Sequence, residues 1–292
     1  MTTIASALAA ARRRFQTAGI ESAGLDARLL LGKAAGLDMT ALIAGGRDLL
    51  AAETIAAFDA MCERRARREP VARILGTREF RGLSFALNEA TLVPRPETEI
   101  LVDAVLDLAG VDSAGRGAGR PLRICDLGTG SGAILIALVS ELDQASGVGI
   151  DISGPALDMA LANARRHGVA DRIGFIQGDF SMPLDEAFDM VVANPPYIPQ
   201  GDLARLDREV RDYDPALALD GGADGLVAFR VIAARLPALL KPGGTAFVEI
   251  GAGQGDSVVA LFTDQGLEIR SVRPDLATIG RVVIAEKSFD QQ

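Results

Sequence analysis

The sequence predicts an α/β protein: a doubly wound, mostly parallel sheet ending in a terminal antiparallel strand pair, preceded by a small all-α N-terminal domain and a β-hairpin connector. Three observations lead there. From Pro121 onward, short apolar runs alternate with longer helical stretches, as parallel strands and their crossover helices do. The first 80 residues carry only the helical period. Between the two, residues 77–93 alternate around Gly82 and Asn88, as a hairpin does. At 292 residues, 49% hydrophobic and 24% charged, the chain suffices for two domains and a sizeable core.

The elements follow in order. Ile4, Leu8, Ala11 and Phe15 share one helical face, and Gly19 is the stop. A second amphipathic stretch runs through Leu29, Leu30 and Leu31 to Gly36. A third places Ile55, Phe58 and Cys62 on one face and halts before Pro70. Arg64, Arg65, Arg67 and Arg68 fall in its last turn, where cations suit the negative helix end. That cluster reads as a solvated helix end or as a docking patch for an acidic partner. Pro94-Arg95-Pro96-Glu97-Thr98-Glu99 opens a helix through Ile100, Leu101, Val105 and Leu108, with Pro96 at its first position and Glu97 and Glu99 at its positive end. Residues 110–119, rich in Gly, Ser and Ala, are expected to form a flexible surface loop. Strands are expected at Leu122–Leu127, Val148–Ile150, Ile173–Gln177, Phe188–Ala193 and Thr245–Ile250. Helices are placed through Ile134 to Leu138, up to His167-Gly168, and from about Gly225 to Lys241-Pro242-Gly243-Gly244. His167 reads as a helix cap rather than a base. Leu267–Val272 and Arg281–Ala285 form the terminal pair. The expected divisions are 1–76, 77–94 and 95–292.

Composition excludes several function classes. Residues 1–80 hold 12 Lys and Arg against 9 Asp and Glu, whereas the rest hold 18 against 30. The second part therefore lacks the clustered cations that phosphate binding needs, and DNA is not expected as a partner. No Trp, 2 Tyr and 11 Phe leave little for base-stacking platforms. Cys62 and Cys125 lie far apart in apolar contexts, which excludes a disulfide scaffold and fits a reducing compartment. A single histidine, His167, removes most metal sites and most His-based relays, and no metal is expected. No apolar run approaches a membrane span, and the first apolar stretch precedes Arg12 to Arg14, the reverse of a signal peptide. A soluble, cytoplasmic, monomeric protein is expected.

Two motifs carry chemistry. Asp126-Leu127-Gly128-Thr129-Gly130-Ser131-Gly132 joins a strand to a helix, and its glycines let the backbone approach a ligand closely. Asp151 ends the next strand, 23 positions after Gly128, where a carboxylate can accept from both ribose hydroxyls of an adenosine ligand. Asp179-Phe180 follows the third strand, where the carboxylate suits the adenine amine and the ring suits the base. Three such signals at the ends of three successive strands point to an adenosine ligand at the switch point of the sheet. The second motif, Asn194-Pro195-Pro196-Tyr197, directly follows a strand. Consecutive prolines remove two backbone donors and stiffen the loop. An Asn oxygen and a proline carbonyl can then accept both hydrogens of a planar –NH₂ group, with the Tyr197 face beside it. Alone, the tetrapeptide reads equally as a stiff turn.

The Gly-rich turn with Asp151 resembles a class I S-adenosylmethionine-dependent methyltransferase. The ordered set Leu92 to Glu99, Asp126 to Gly132, Asn194 to Ile198, Asp220 to Leu226 and Glu249 to Gly251 is similar to the PrmC/HemK family of protein-(glutamine-N5) methyltransferases. The resemblance implies that S-adenosylmethionine binds Gly128, Thr129, Gly130, Ser131, Gly132, Asp151, Asp179, Phe180 and Asn194, leaving S-adenosylhomocysteine as product. It implies that Asn194, Pro195 and Tyr197 are catalytic and that Asn194 to Tyr197, Pro196 included, hold the substrate. The acceptor it implies is the glutamine of the Gly-Gly-Gln loop of class I peptide chain release factors, gripped in part by the N-terminal domain. The rivals are an adenine-N6 DNA methyltransferase, which uses the same tetrapeptide on a flipped base, and a non-catalytic cofactor-binding module.

Overall fold

The computed structural model describes residues 1–110 and 121–289. It divides into two compact units, one formed by Met1–Thr77 with Asp207–Tyr213, the other by Arg78–Leu206 with Asp214–Gln292. Most of the 110–119 stretch lies outside the described residues.

The first unit is helical: α1 (Ile4–Thr17), α2 (Ala23–Ala35), α3 (Met39–Ala44), α4 (Ala52–Ala66) and α5 (Val71–Leu75). A capping box starts α1, with Thr3 and Ser6 satisfying each other's backbone N–H groups. Ile4, Ala7, Ala11 and Phe15 of α1 pack with Ala27, Leu30, Leu31, Phe58 and Cys62 into one core. Pro70 follows the end of the preceding helix as expected, but it also precedes α5, which the sequence pattern does not announce. Within the arginine cluster Arg67 is exposed, but Arg65 fits neither expectation. Arg65 is only 3% exposed, donates to Asp26 at 2.7 Å and to Glu209 at 3.0 Å, and Arg68 meets the same Glu209 at 3.4 Å. Arg64 is paired with Glu69. Arg65 and Arg68 fasten the 207–213 segment to the bundle, so Arg65 is no surface patch.

The second unit begins with the hairpin β1 (Thr77–Phe80) and β2 (Leu83–Ala86) and continues through α6 (Glu99–Leu108). Then come β3 (Leu122–Leu127), α7 (Ala133–Glu141), β4 (Ala145–Asp151), α8 (Gly154–Arg166), β5 (Ile173–Gln177) and β6 (Phe188–Ala193). The short α9 (Arg208–Arg211) lies in the segment that joins the helical unit. The chain closes with α10 (Val227–Leu239), β7 (Leu240–Glu249), α11 (Gly255–Asp264), β8 (Glu268–Pro274) and β9 (Gly280–Glu286).

The seven-stranded sheet has the order β5-β4-β3-β6-β7-β9-β8, parallel except where β9 pairs with β7 and β8. Side chains alternate across it. Ile124, Met190, Val192 and Phe247 enter a core with α6 and α7, while Cys125, Leu127, Val191, Ala193 and Val248 enter one with α10 and α11. The chain runs outward from β3 to β5, then returns to place β6 against β3. That reversal opens a crevice at the carboxyl ends of β3 and β6.

Two local devices shape this crevice. Asn163 of α8 is fully buried, accepts from Ala86 N at 2.8 Å, and donates to Ala86 O and Ser131 O. One amide thus fixes both the hairpin and the Gly-rich turn. In β7, Leu240 pairs with Phe188 but Thr245 pairs with Met190, so Lys241 to Gly244 bulge out of the ladder. A proline in a central strand is tolerated there because a bulge needs no donor from it.

Candidate active site

A cavity of about 400 Å³ occupies the crevice, lined by the ends of β3 to β6, by Leu92, Pro94, Arg95 and Thr98, and by residues 215–231. The Gly-rich turn forms its floor. Gly128, Gly130 and Gly132 have φ of +79°, +56° and +81°, values that only glycine adopts freely. A Cβ on Gly132 would lie 2.7 Å from Ile136 and 3.2 Å from Ala160, so this glycine also lets α7 and α8 close together. Thr129 and Ser131 are buried beside it, and both line the cavity.

Asp151 accepts from Gly130 N at 2.8 Å on one oxygen and from Ser153 N at 2.9 Å on the other. Each oxygen keeps a lone pair, so the carboxylate is fixed in orientation yet able to accept from a diol. Asp179 is held by Ser181, whose side-chain and backbone hydrogen bonds lower its pKa. Phe180 lies against Gly128, where a Cβ would approach its ring to 3.2 Å. Gly128, Asp151, Asp179 and Phe180 all line the cavity.

Of the Asn194-Pro195-Pro196-Tyr197 loop, Asn194 and Pro196 line the cavity. Pro195 is buried and Tyr197 packs against the core of α10 and α11 instead, and neither is a lining residue. Burial raises the Tyr197 pKa, with the nearby Glu249 adding to it. The Asn194 amide donates from Nδ2 to Thr98 Oγ1 at 3.0 Å. The Glu249 carboxyl, at the end of the adjacent strand, accepts from the side chains of both Thr98 and Asn194. Nitrogen is the only donor an Asn side chain has, so Nδ2 faces Thr98 and Glu249 and Oδ1 is the end left to accept. Behind the loop, Gln254 Nε2 donates to Tyr197 O at 3.0 Å and to Gly225 O at 3.2 Å.

The charge in the cavity is mainly negative. Asp151, Asp179 and Asp220 line it, and the lining cation Arg95 is paired with Asp214. Beneath the Gly-rich turn, Asp126 is inaccessible to solvent and accepts from Thr129 Oγ1 at 2.7 Å. Such a site favours a cationic ligand and opposes phosphates.

Comparison with known proteins bears on the identity of both units. Residues 6–76 match the PrmC N-terminal domain, and residues 119–249 match a methyltransferase domain. The chain is 47% identical to the release factor glutamine methyltransferase of Bradyrhizobium diazoefficiens, over 94% of this chain and 91% of that one. It is 43% identical to that of Caulobacter vibrioides, over 98% and 97%. The chain belongs to the release factor glutamine methyltransferase family. Among solved structures, the hMettl16 catalytic domain has a TM-score of 0.58 at 18% identity, covering 76% of this chain and 82% of that one. A methyltransferase from Pyrococcus furiosus has a TM-score of 0.51 at 15% identity, covering 72% and 91%. These two likenesses are of fold.

Glu249 and Thr98 are not among the site residues expected from the sequence. Both carry a signal: a carboxylate ending the apolar run Thr245–Ile250, and a hydroxyl between two glutamates in a loop near the site. Asp126 leads to a pH prediction. Burial pushes its carboxyl up to about 7 against an ordinary 3.8, outweighing the Thr129 hydrogen bond. The unfolded chain ionises first, so native stability is lost as pH rises from about 4 through about 7. Asp126→Asn removes that loss. Its stability relative to wild type should rise between pH 5 and 8 by on the order of 3 kcal/mol, read by urea denaturation of the unliganded protein. Parallel stability curves for the two proteins would contradict the burial of this charge.

Proposed function

We propose that this protein transfers the methyl group of S-adenosylmethionine to the side-chain amide nitrogen of the glutamine in the Gly-Gly-Gln loop of class I release factors. The observation that carries the reading is the Asn194 amide, turned so that an acceptor oxygen remains in the same cavity as the Gly-rich turn and Asp151. The names of the family's curated members and the match to both domain models support it.

The residues present fit the cofactor. Asp151 suits the ribose hydroxyls, Asp179 and Phe180 the adenine, and the acidic lining a sulfonium cation. When bound, S-adenosylmethionine supplies an electrophilic methyl group. The protein's task is to raise the nucleophilicity of an amide nitrogen whose lone pair is delocalised into its carbonyl. Asn194 Oδ1, with a carbonyl of the Pro-Pro loop, accepts from the amide N–H groups and builds electron density on nitrogen. Preorganised acceptors of this kind act where positive charge develops. The cavity's acidity argues against the rival on DNA, since a duplex would bring phosphates to Asp151, Asp179 and Asp220. The same reading places the protein in the cytoplasm, where release factors work.

Two measurements test this. Asp151→Ala should weaken S-adenosylmethionine binding by about 1.5–3 kcal/mol in calorimetry, the range for hydrogen bonds to a charged group. An unchanged affinity in a folded variant would remove the ribose assignment. Labelled S-adenosylmethionine should then mark an intact release factor, but neither its glutamine-to-alanine variant nor duplex DNA. An isolated Gly-Gly-Gln peptide should be a far weaker acceptor than the whole factor. Equal labelling of the alanine variant, or preferential labelling of DNA, would overturn the substrate.

A further inference from the structure

We infer that Glu249 is a positioning residue for methyl transfer: it holds the Asn194 amide, directly and through Thr98, with its oxygen turned to the acceptor nitrogen. The inference rests on the function proposed above and assigns a role to a side chain outside the Asn-Pro-Pro-Tyr loop.

The arrangement is built from three elements. Glu249 ends β7, which pairs in parallel with β6, and Ala193 opposite Val248 brings Asn194 level with Glu249. Thr98 sits at the end of the 3-10 turn Pro96–Thr98 and is 4% exposed. Asn194 Nδ2 donates to Thr98 Oγ1 at 3.0 Å, and both side chains donate to the Glu249 carboxyl. An Asn amide is symmetric in shape, so packing alone leaves its two orientations nearly equal. A carboxylate accepts and never donates, so it admits the nitrogen and rejects the oxygen. That choice leaves an acceptor toward a substrate –NH₂. The opposite orientation would oppose donor to donor.

A purely structural account of Glu249 is weak. The residue is 3% exposed, and its Oε2 is buried with no hydrogen-bond partner. Arg281, a cation facing it, gives its Nε to Asp275 at 2.8 Å. A strand end in this position would be more stable with an apolar side chain or a neutral amide. The charge is retained at a cost, and its hydrogen bonds run to the loop that holds Asn194. Burial pushes the carboxyl up to about 7, with Glu97 adding to the rise and Arg281, Thr98 and Asn194 opposing it; Tyr197 also lies close. Protonation would give the group a donor and remove its power to discriminate.

The test is Glu249→Gln, which preserves shape but replaces one acceptor oxygen with a donor nitrogen, so the side chain no longer rejects the Asn194 oxygen. With intact release factor and saturating S-adenosylmethionine, kcat should fall about 10–100-fold, while KM for both substrates and the calorimetric cofactor affinity change by less than about threefold. In an Asn194→Ala background the same substitution should cost almost nothing, because its effect runs through Asn194. The wild-type kcat should decline as pH falls through about 7, and Glu249→Gln should lose that acid limb. If Glu249→Gln does not fold, Thr98→Val makes the same comparison by removing the relaying hydroxyl. A kcat within about twofold of wild type, or an equal loss with and without Asn194, would overturn the inference. A wild-type enzyme that leaves release factor unlabelled would instead overturn the proposed function.

Discussion

Replacing Asn194 with alanine is expected to lower turnover about 10²–10³-fold while the protein stays folded and binds S-adenosylmethionine. Asn194 gives its nitrogen to Thr98 and Glu249 and keeps its oxygen for the cavity. Alanine removes one of the two acceptors proposed to raise electron density on the target nitrogen. The stability cost should be smaller, about 1–3 kcal/mol, because two buried acceptors each lose one donor. Asp151, Gly130 and Ser153, proposed above to form the ribose side of the site, are hydrogen-bonded to one another rather than to Asn194 and should keep their geometry. Rapid-quench single-turnover kinetics would read the loss directly, with circular dichroism confirming the fold. Activity within a few-fold of wild type would reduce Asn194 to a turn residue and remove the basis of the proposed mechanism.

The sheet was legible because its strands are short apolar runs with abrupt ends. Leu122–Leu127, Ile173–Gln177 and Phe188–Ala193 match the expected strands residue for residue. The terminal pair was legible from its brevity, since no crossover helix fits between Leu267 and Ala285. What escaped was short or doubly used. Helices α3 and α5 span six and five residues, too few for a helical period to register. Helix α11 did carry a signal in Val258 and Phe262, both fully buried, but it sits directly before a strand in a stretch read for its termini. Lys241-Pro242-Gly243-Gly244 reads as a turn from local chemistry, whereas the strand continues through it as a bulge. The arginine cluster shows the same limit. No local pattern reveals that Arg65 meets Asp26, 39 positions away, and Glu209, 144 positions away.

The site divides similarly. The residues expected to hold the cofactor meet in one cavity because each ends or follows a strand, and strand ends converge wherever a parallel sheet reverses direction. The acceptor side depends on pairings across distant segments, such as Asn194 with Thr98, 96 positions apart. Tyr197 was expected to offer its ring to the substrate, yet it packs against the core and is fixed by Gln254. On this geometry the loop's rigidity comes as much from the segment behind it as from its prolines.

That segment gives the second large expected effect. Gly221→Ala should lower kcat about 10²-fold or more while leaving S-adenosylmethionine affinity within a few-fold. Ile198 and Asp220 form a bridge between the two segments, with Ile198 N donating to Leu219 O at 3.0 Å, Gly221 N to Ile198 O at 2.8 Å and Gln200 N to Gly222 O at 2.8 Å. At this crossing a Cβ on Gly221 would lie 2.8 Å from the carbonyl carbon of Tyr197, 2.9 Å from its Cα and 2.8 Å from Gly225 Cα. These contacts are all main chain, so no rotamer change relieves them and the loop itself must move. Asn194 lies three residues before Tyr197, on the same rigid Pro-Pro segment, and would move with it. Misplacing a reacting group by about 1 Å can cost about 10²-fold in rate. The residues proposed to hold the cofactor end or follow β3, β4 and β5 and share none of these main-chain contacts. Gly201→Ala is the control: Gly201 lies in the 3-10 turn Gln200–Arg205 that follows the acceptor loop, with nothing within 4 Å of the position its Cβ would take, and the variant should behave as wild type. Kinetics with intact release factor, paired with calorimetry of cofactor binding, separate the outcomes. Wild-type turnover in Gly221→Ala, or an equal loss of cofactor affinity, would show that the 220–226 segment does not set the acceptor loop.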